Sequence, residues 1–119
     1  MSVLLFVRRD KVQEIKLTQA NNGGSYELNR DDIIVIRLTE NPSTGYCWEI
    51  EELDNKILAL QRSDFFLPED PQVGEGGVRV FAFKAKAAGS AHIRLKHWRE
   101  WEGNDSIIDG FDVTTVVKN

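Results

Sequence analysis

The chain has 119 residues, of which 41% are apolar and 29% charged, with a net charge of −4. This length suits one domain over residues 1–119 and excludes a multidomain catalyst, while the apolar share is enough for a core and the charge too small to enforce disorder. The absence of a Lys or Arg block removes the electrostatic footprint of a nucleic-acid partner, and a single cysteine, Cys47, excludes an internal disulfide and any cysteine-rich zinc site.

Val3 to Val7 is a run of only five apolar residues stopped by Arg8, Arg9 and Asp10. It is shorter than a secretory core and far shorter than a membrane span, so the expectation is a cytoplasmic chain with no membrane partner. Val3 to Val7 and Val12 to Leu17 flank the charged tetrad Arg8 to Lys11, a pattern that predicts an edge hairpin. The cluster Asn21, Asn22, Gly23, Gly24 then ends the second strand, because these residues tolerate positive φ. Tyr26 and Leu28 are the apolar residues of a short piece that turns at Asn29 to Asp32.

Ile33 to Leu38 is the most strand-like run, with Ile34, Ile36 and Leu38 predicted to face the core and Arg37 the other side. After a break at Asn41 to Gly45, Tyr46, Trp48 and Ile50 alternate with Cys47, Glu49 and Glu51, which puts Trp48 inside and Cys47 outside. Ile57 to Leu60 and Phe65 to Leu67 read as two short apolar pieces, and Pro68 to Gly77, with two prolines and three glycines, reads as a long loop. Phe81, Phe83 and Ala85 alternate with Val80, Ala82 and Lys84, and Ala91, Ile93 and Leu95 oppose His92, Arg94 and Lys96. A loop rich in tryptophan and glutamate is predicted from Trp98 to Asp105. A last strand over Ile107 to Val117 follows, with Phe111 and Val113 inward and an alternation that blurs from Thr114 onward.

Seven or more short strands at roughly 8 to 12 residue spacing predict an all-β fold, a β-sandwich, and no parallel α/β sheet. Trp48, early in what reads as a central strand, fits the inter-sheet core position of an immunoglobulin-like sandwich.

Catalysis finds little support. Cys47 follows Tyr46 in a strand, with no glycine elbow or helix N-terminus to lower its pKa. His92 and His97 lie five apart in one strand and so face opposite ways, which excludes a shared metal. Ser43 lacks the strand-turn-helix that exposes a nucleophile. The adjacent carboxylates Asp31 and Asp32, and Glu51 and Glu52, read as solvated charges. No metal or cofactor is expected, and the chain is not expected to be an enzyme.

Three segments look like binding elements. In Asn41-Pro42-Ser43-Thr44-Gly45 the residues have local roles, with an Asx-type bond from Asn41, a φ fixed by Pro42 and a left-handed exit at Gly45. Gly74, Gly76 and Gly77 in VGEGG allow positive φ and a close approach of another surface, but no lysine or helix follows to make a phosphate loop. Trp98 and Trp101 place two indoles in one polar segment, as interface anchors often are.

Asn41 to Tyr46 (NPSTGY), Gly74 to Gly77 (GEGG) and Arg99 to Trp101 (REW) resemble, in order and spacing, the NPTTG[YF], GxGG and RPW motifs of the chagasin-like inhibitors of cysteine peptidases. The resemblance runs from about Ile33 to Val117. It implies an immunoglobulin-like sandwich, a monomer, whose three loops form a wedge that enters the active-site cleft of a papain-like cysteine peptidase and blocks it reversibly. On that likeness Asn41, Pro42, Ser43, Thr44 and Gly45 would lie over the target's catalytic cysteine and histidine. Gly74, Glu75, Gly76 and Gly77 would flank one side, and Arg99 and Trp101, with Glu100 between them, the other. The sequence departs from the family pattern at Ser43, which stands for a threonine, and at Glu100, which stands for the proline of RPW. Two rival readings are an immunoglobulin-like adhesion domain that binds glycans or proteins through Trp98 and Trp101, and a small enzyme built on Cys47.

Overall fold

The computed structural model describes residues 12–68 and 76–119. Their strands are β1 (Glu14–Leu17), β2 (Ser25–Asn29), β3 (Ile33–Glu40), β4 (Cys47–Leu53), β5 (Leu58–Phe66), β6 (Gly77–Ala85), β7 (Gly89–Trp98) and β8 (Asp109–Lys118). They form two four-stranded sheets, ordered β1-β3-β6-β5 and β2-β8-β7-β4. The sheets face each other as the immunoglobulin-like sandwich that the strand pattern predicts. The Val3 to Val7 half of the proposed hairpin lies outside the described residues.

Alternation explains the core. Ile34, Ile36 and Leu38 from β3, Phe83 and Ala85 from β6, and Ile93 and Leu95 from β7 are fully buried between the sheets. Trp48 joins them from β4 while Cys47 on the same strand is exposed, as the phase requires. Burial of these side chains is the main favourable contribution to folding, at about 25 cal/mol per Å² of apolar surface removed from water.

Several expectations are corrected. β4 is the outer strand of its sheet among the described residues, so Trp48 reaches the core from an edge and not from a central strand. The pieces expected over Ile57 to Leu60 and Phe65 to Leu67 are joined in one nine-residue strand, β5, which leaves out Ile57 and Leu67 at its ends; its polar middle is exposed because it too is an outer strand and is bulged between Leu60 and Arg62. Val80 and Ala82, on the outer face of β6, are also buried. Val80 lies between Arg37 and Asp64, and Ala82 between Val35 and Arg62, so side chains of both neighbouring strands shield them. In β8 the inward series continues through Thr115, whose hydroxyl donates to the Ala91 carbonyl (3.2 Å) and so makes a polar side chain tolerable in the core. Asp32 is not solvated. It is buried and accepts the amides of Gln13 (2.9 Å) and Asn29 (2.8 Å), tying the start of β1 to the turn before β3.

Two pairings could not be read from periodicity. β1 runs parallel to β3, and β2 parallel to β8, so the first two strands divide between the two sheets. The pairings that position the candidate loops are Glu40 with Gly77, Cys47 with Trp98, and His97 with Asp109. They bring the β3–β4 turn, the start of β6 and the β7–β8 loop to one end of the sandwich.

Candidate functional site

The β3–β4 connection is a single 3-10 turn, Pro42–Thr44, with Asn41 at its head. The Asn41 carboxamide oxygen accepts the Ser43 amide (3.1 Å) and the Ser43 hydroxyl (2.7 Å). The Thr44 hydroxyl donates to the Asn41 carbonyl (2.7 Å), and Gly45 leaves the turn at φ 81. Each of the local roles expected of this segment is therefore present. Serine supplies the hydroxyl that the bond to Asn41 uses, so the missing methyl at Ser43 costs the turn none of these bonds.

The β7–β8 loop braces this turn. Arg99 donates from Nε (3.1 Å) and Nη2 (3.0 Å) to the Thr44 carbonyl, lies over the Tyr46 ring at 4.3 Å, and pairs with Glu102 at 3.2 Å. A fork on one carbonyl is a charge-assisted contact of fixed direction. Ser106 locks the base of the loop, its hydroxyl accepting the Arg99 amide (3.0 Å) and donating to the Gly103 carbonyl (2.7 Å). The Trp101 ring rests its edge on Gly45, where a Cβ would come within 2.7 Å of it, yet the residue is 71% exposed. Trp98, expected in the loop, is instead the last residue of β7 and half-buried, with the Lys96 ammonium 3.4 Å from its ring centre.

Glu100 opens a 3-10 turn, Glu100–Glu102, behind an Arg99 in extended conformation (φ −104, ψ 112). That is the backbone which precedes a proline, and the first position of a helical turn is where proline fits. The turn, closed by the Glu102 amide on the Arg99 carbonyl (3.0 Å), thus keeps the shape that proline would impose.

Of the glycine-rich segment, Gly74 and Glu75 lie outside the described residues. Gly76 and Gly77 do not need positive φ; close approach explains them. A Cβ at Gly76 would sit 3.1 Å from the Glu40 carbonyl oxygen, and one at Gly77 would overlap the Phe66 carbonyl oxygen. The start of β6 is thus pressed between the β3–β4 turn and the end of β5.

Residues 27–115 match the chagasin family peptidase inhibitor I42 model. The chain belongs to this family. It is 30% identical over 102 residues to chagasin of Trypanosoma cruzi, covering 82% of this chain and 93% of that protein. It is 27% identical over 104 residues to amoebiasin-2 of Entamoeba histolytica, covering 86% and 84%. The crystal structure of a cysteine protease inhibitor from Entamoeba histolytica superposes with a TM-score of 0.82 at 26% identity, over 90% of this chain and 97% of that one.

Beneath its motifs this chagasin-family chain carries a support that sequence reasoning missed. The Glu40 carboxylate is buried, accepts the Trp48 amide (2.7 Å) and pairs with Arg79 through two contacts (2.8 and 3.2 Å), joining β3, β4 and β6 under the turn. The signal was the phase of β3, which puts Glu40 inward after Ile34, Ile36 and Leu38. His97 stacks on Trp48 (4.6 Å between centroids, 11°) and meets Tyr46 edge-on. Burial lowers its pKa below the usual 6.5 against the opposing pull of Glu40, a Tyr46 backbone hydrogen bond and Asp109, and its Nε2 has no partner among the described residues.

A neutral His97 favours the folded state above the ordinary pKa of 6.5, and that contribution is lost as pH falls below it. Melting temperature should therefore drop between pH 7.5 and 5. The drop should shrink in His97→Phe, which keeps an aromatic ring on Trp48; an equal drop in both would remove His97 as its source.

Cys47 is exposed, but partial loss of solvent around its sulfur, aided by the Glu40 carboxylate, raises its pKa, the opposite of an activated nucleophile. Cys47→Ser should leave stability and peptidase binding within about 1 kcal/mol of the parent, measured by melting and titration. Among the described residues no group of three or more His, Cys, Asp or Glu side chains is placed to hold a metal ion.

Proposed function

We propose that this chain is a reversible inhibitor of papain-like cysteine peptidases that occludes the active-site cleft with the three loops at one end of the sandwich. Family membership supports the inhibitor role. The observation that carries the mechanism is the bracing of one loop by another: Arg99 grips the Thr44 carbonyl and Trp101 lies on Gly45. Loops ordered before docking lose little conformational entropy on binding, so a small patch can bind tightly.

In this reading Asn41, Pro42, Ser43, Thr44 and Gly45 cover the catalytic cysteine and histidine of the target. Gly74, Glu75, Gly76 and Gly77 take one wall, and Arg99, Glu100 and Trp101 the other. The internal bonds of the turn support resistance to cleavage, because a peptide held as a 3-10 turn does not present the extended backbone that a peptidase cleaves.

Titration of papain with the chain tests the proposal. Stoichiometric loss of activity is expected, with the inhibitor recovered uncut after incubation with excess enzyme. Full papain activity at micromolar inhibitor, or inhibition that tracks cleavage of the chain, would overturn it.

A further inference from the structure

The loop end of the sandwich is not flat. A depression of about 700 Å³, mostly apolar in its lining, lies between the loops and is bordered by Thr44, Tyr46, Gly76, Arg99 and Ile108. Ile108 follows the REW segment in the same loop but belongs to none of the three motifs, and it is 58% exposed. An exposed isoleucine alone needs no explanation. Here, however, the backbone that carries it is fixed. Its amide donates to the His97 carbonyl (2.9 Å), the Ile107 amide donates to the Asn104 carbonyl (3.2 Å), and Ser106 bonds both Arg99 and Gly103. The backbone of Ile108 is therefore held at the rim of the depression.

We infer that Ile108 and this hollow form a further contact site, one that receives an apolar side chain from the rim of the bound peptidase's cleft. The inference rests on the three-loop reading and extends it. The hollow is continuous with the loops assigned to the peptidase, so an enzyme docked on them brings its rim over the opening. The chemistry favours an apolar occupant. The charged group at the edge is already engaged, because the Thr44 carbonyl and Glu102 hold the Arg99 guanidinium, which also covers Tyr46, and Nε2 of the lining residue His97, without a partner among the described residues, is buried. A charged group entering would lose its hydration against an apolar wall and gain no unengaged partner from Arg99. An apolar one would remove both itself and Ile108 from water at little polar cost.

The test compares the full chain with Ile108→Ser and Ile107→Ser, using papain as the probe. Ile107 is a control in the same loop: it is 36% exposed and shares with Ile108 a depression on the flank of the sheet, beside Glu51 and Arg94, but does not border the hollow between the loops. Ile108→Ser should melt like the parent and dissociate from papain about tenfold faster or more, with association unchanged. Ile107→Ser should bind within about twofold of the parent.

If Ile108→Ser binds like the parent while Trp101→Ala binds more weakly, the hollow is not a contact and the three-loop reading stands without it. Equal weakening by both isoleucine variants would overturn the inference in favour of a general loop effect. If the parent itself fails to inhibit papain, both readings fall. Binding of anilinonaphthalene sulfonate in the hollow that papain does not displace would also overturn it, making the hollow a small-molecule site.

Discussion

Trp48→Ala should lower the stability of the fold by about 3 to 5 kcal/mol, the scale of a large aromatic truncation in a packed core. Three losses combine in that figure. The side chain, 4% exposed, would leave a cavity between the sheets. The Thr39 carbonyl, which accepts the indole N–H at 2.8 Å, would lose its partner. His97 would lose the ring on which it stacks, and with it the apolar cover that keeps it neutral. Trp48→Phe retains the stack and part of the volume but not the N–H, so it should fall between the two. Melting temperature is the readout: a drop of more than about 10 °C is expected for the alanine variant, given several degrees per kcal/mol at this chain length. Equal melting of variant and parent would show that the ring does not support the core.

What the sequence made legible follows from what a local pattern can carry. Period-two alternation marked the inward faces of β3, β6 and β7 because each has one face against the opposite sheet, and it separated Trp48 from Cys47 correctly. The turn at Asn41 to Gly45 was legible because its bonds join residues two or three apart, so residue chemistry alone specifies it. Periodicity carries no pairing information, which is why the parallel ladders of β1 with β3 and β2 with β8 were out of reach. β5 was broken in two because an outer strand does not need an apolar middle.

At the candidate site the missing parts are long-range. Arg99 reaches Thr44 across 55 positions and Arg79 reaches Glu40 across 39. No spacing rule links such pairs. The close packing at Gly76 and Gly77 was half legible: three glycines in four residues announced a special backbone, but only the fold tells close approach apart from positive φ. The resemblance named the three segments as a group, whereas the bonds between them arise only in the folded chain.

Trp101→Ala should weaken papain binding by about 2 kcal/mol or more, roughly thirtyfold, with almost no change in melting temperature. The separation of the two readouts is the point of the experiment. Trp48 is buried and Trp101 is 71% exposed, so truncating the second removes little that holds the sheets together. Its exposure is not looseness, because one edge of the ring lies on Gly45 and the backbone beneath it is closed by the Glu100–Glu102 turn and by Ser106. An indole already held in place has little rotamer entropy left to lose when a partner covers it, and it contributes a large apolar face. Gly45→Ala should act through the same contact: a methyl group would meet the ring at 2.7 Å on a backbone at φ 81, displacing Trp101 without removing it. Binding lost in both variants, with melting lost only in Gly45→Ala, is the expected outcome, since Gly45→Ala disturbs the turn as well as the ring. Unchanged binding in Trp101→Ala would instead remove the β7–β8 loop from the inhibitory surface and leave the β3–β4 turn to act without it.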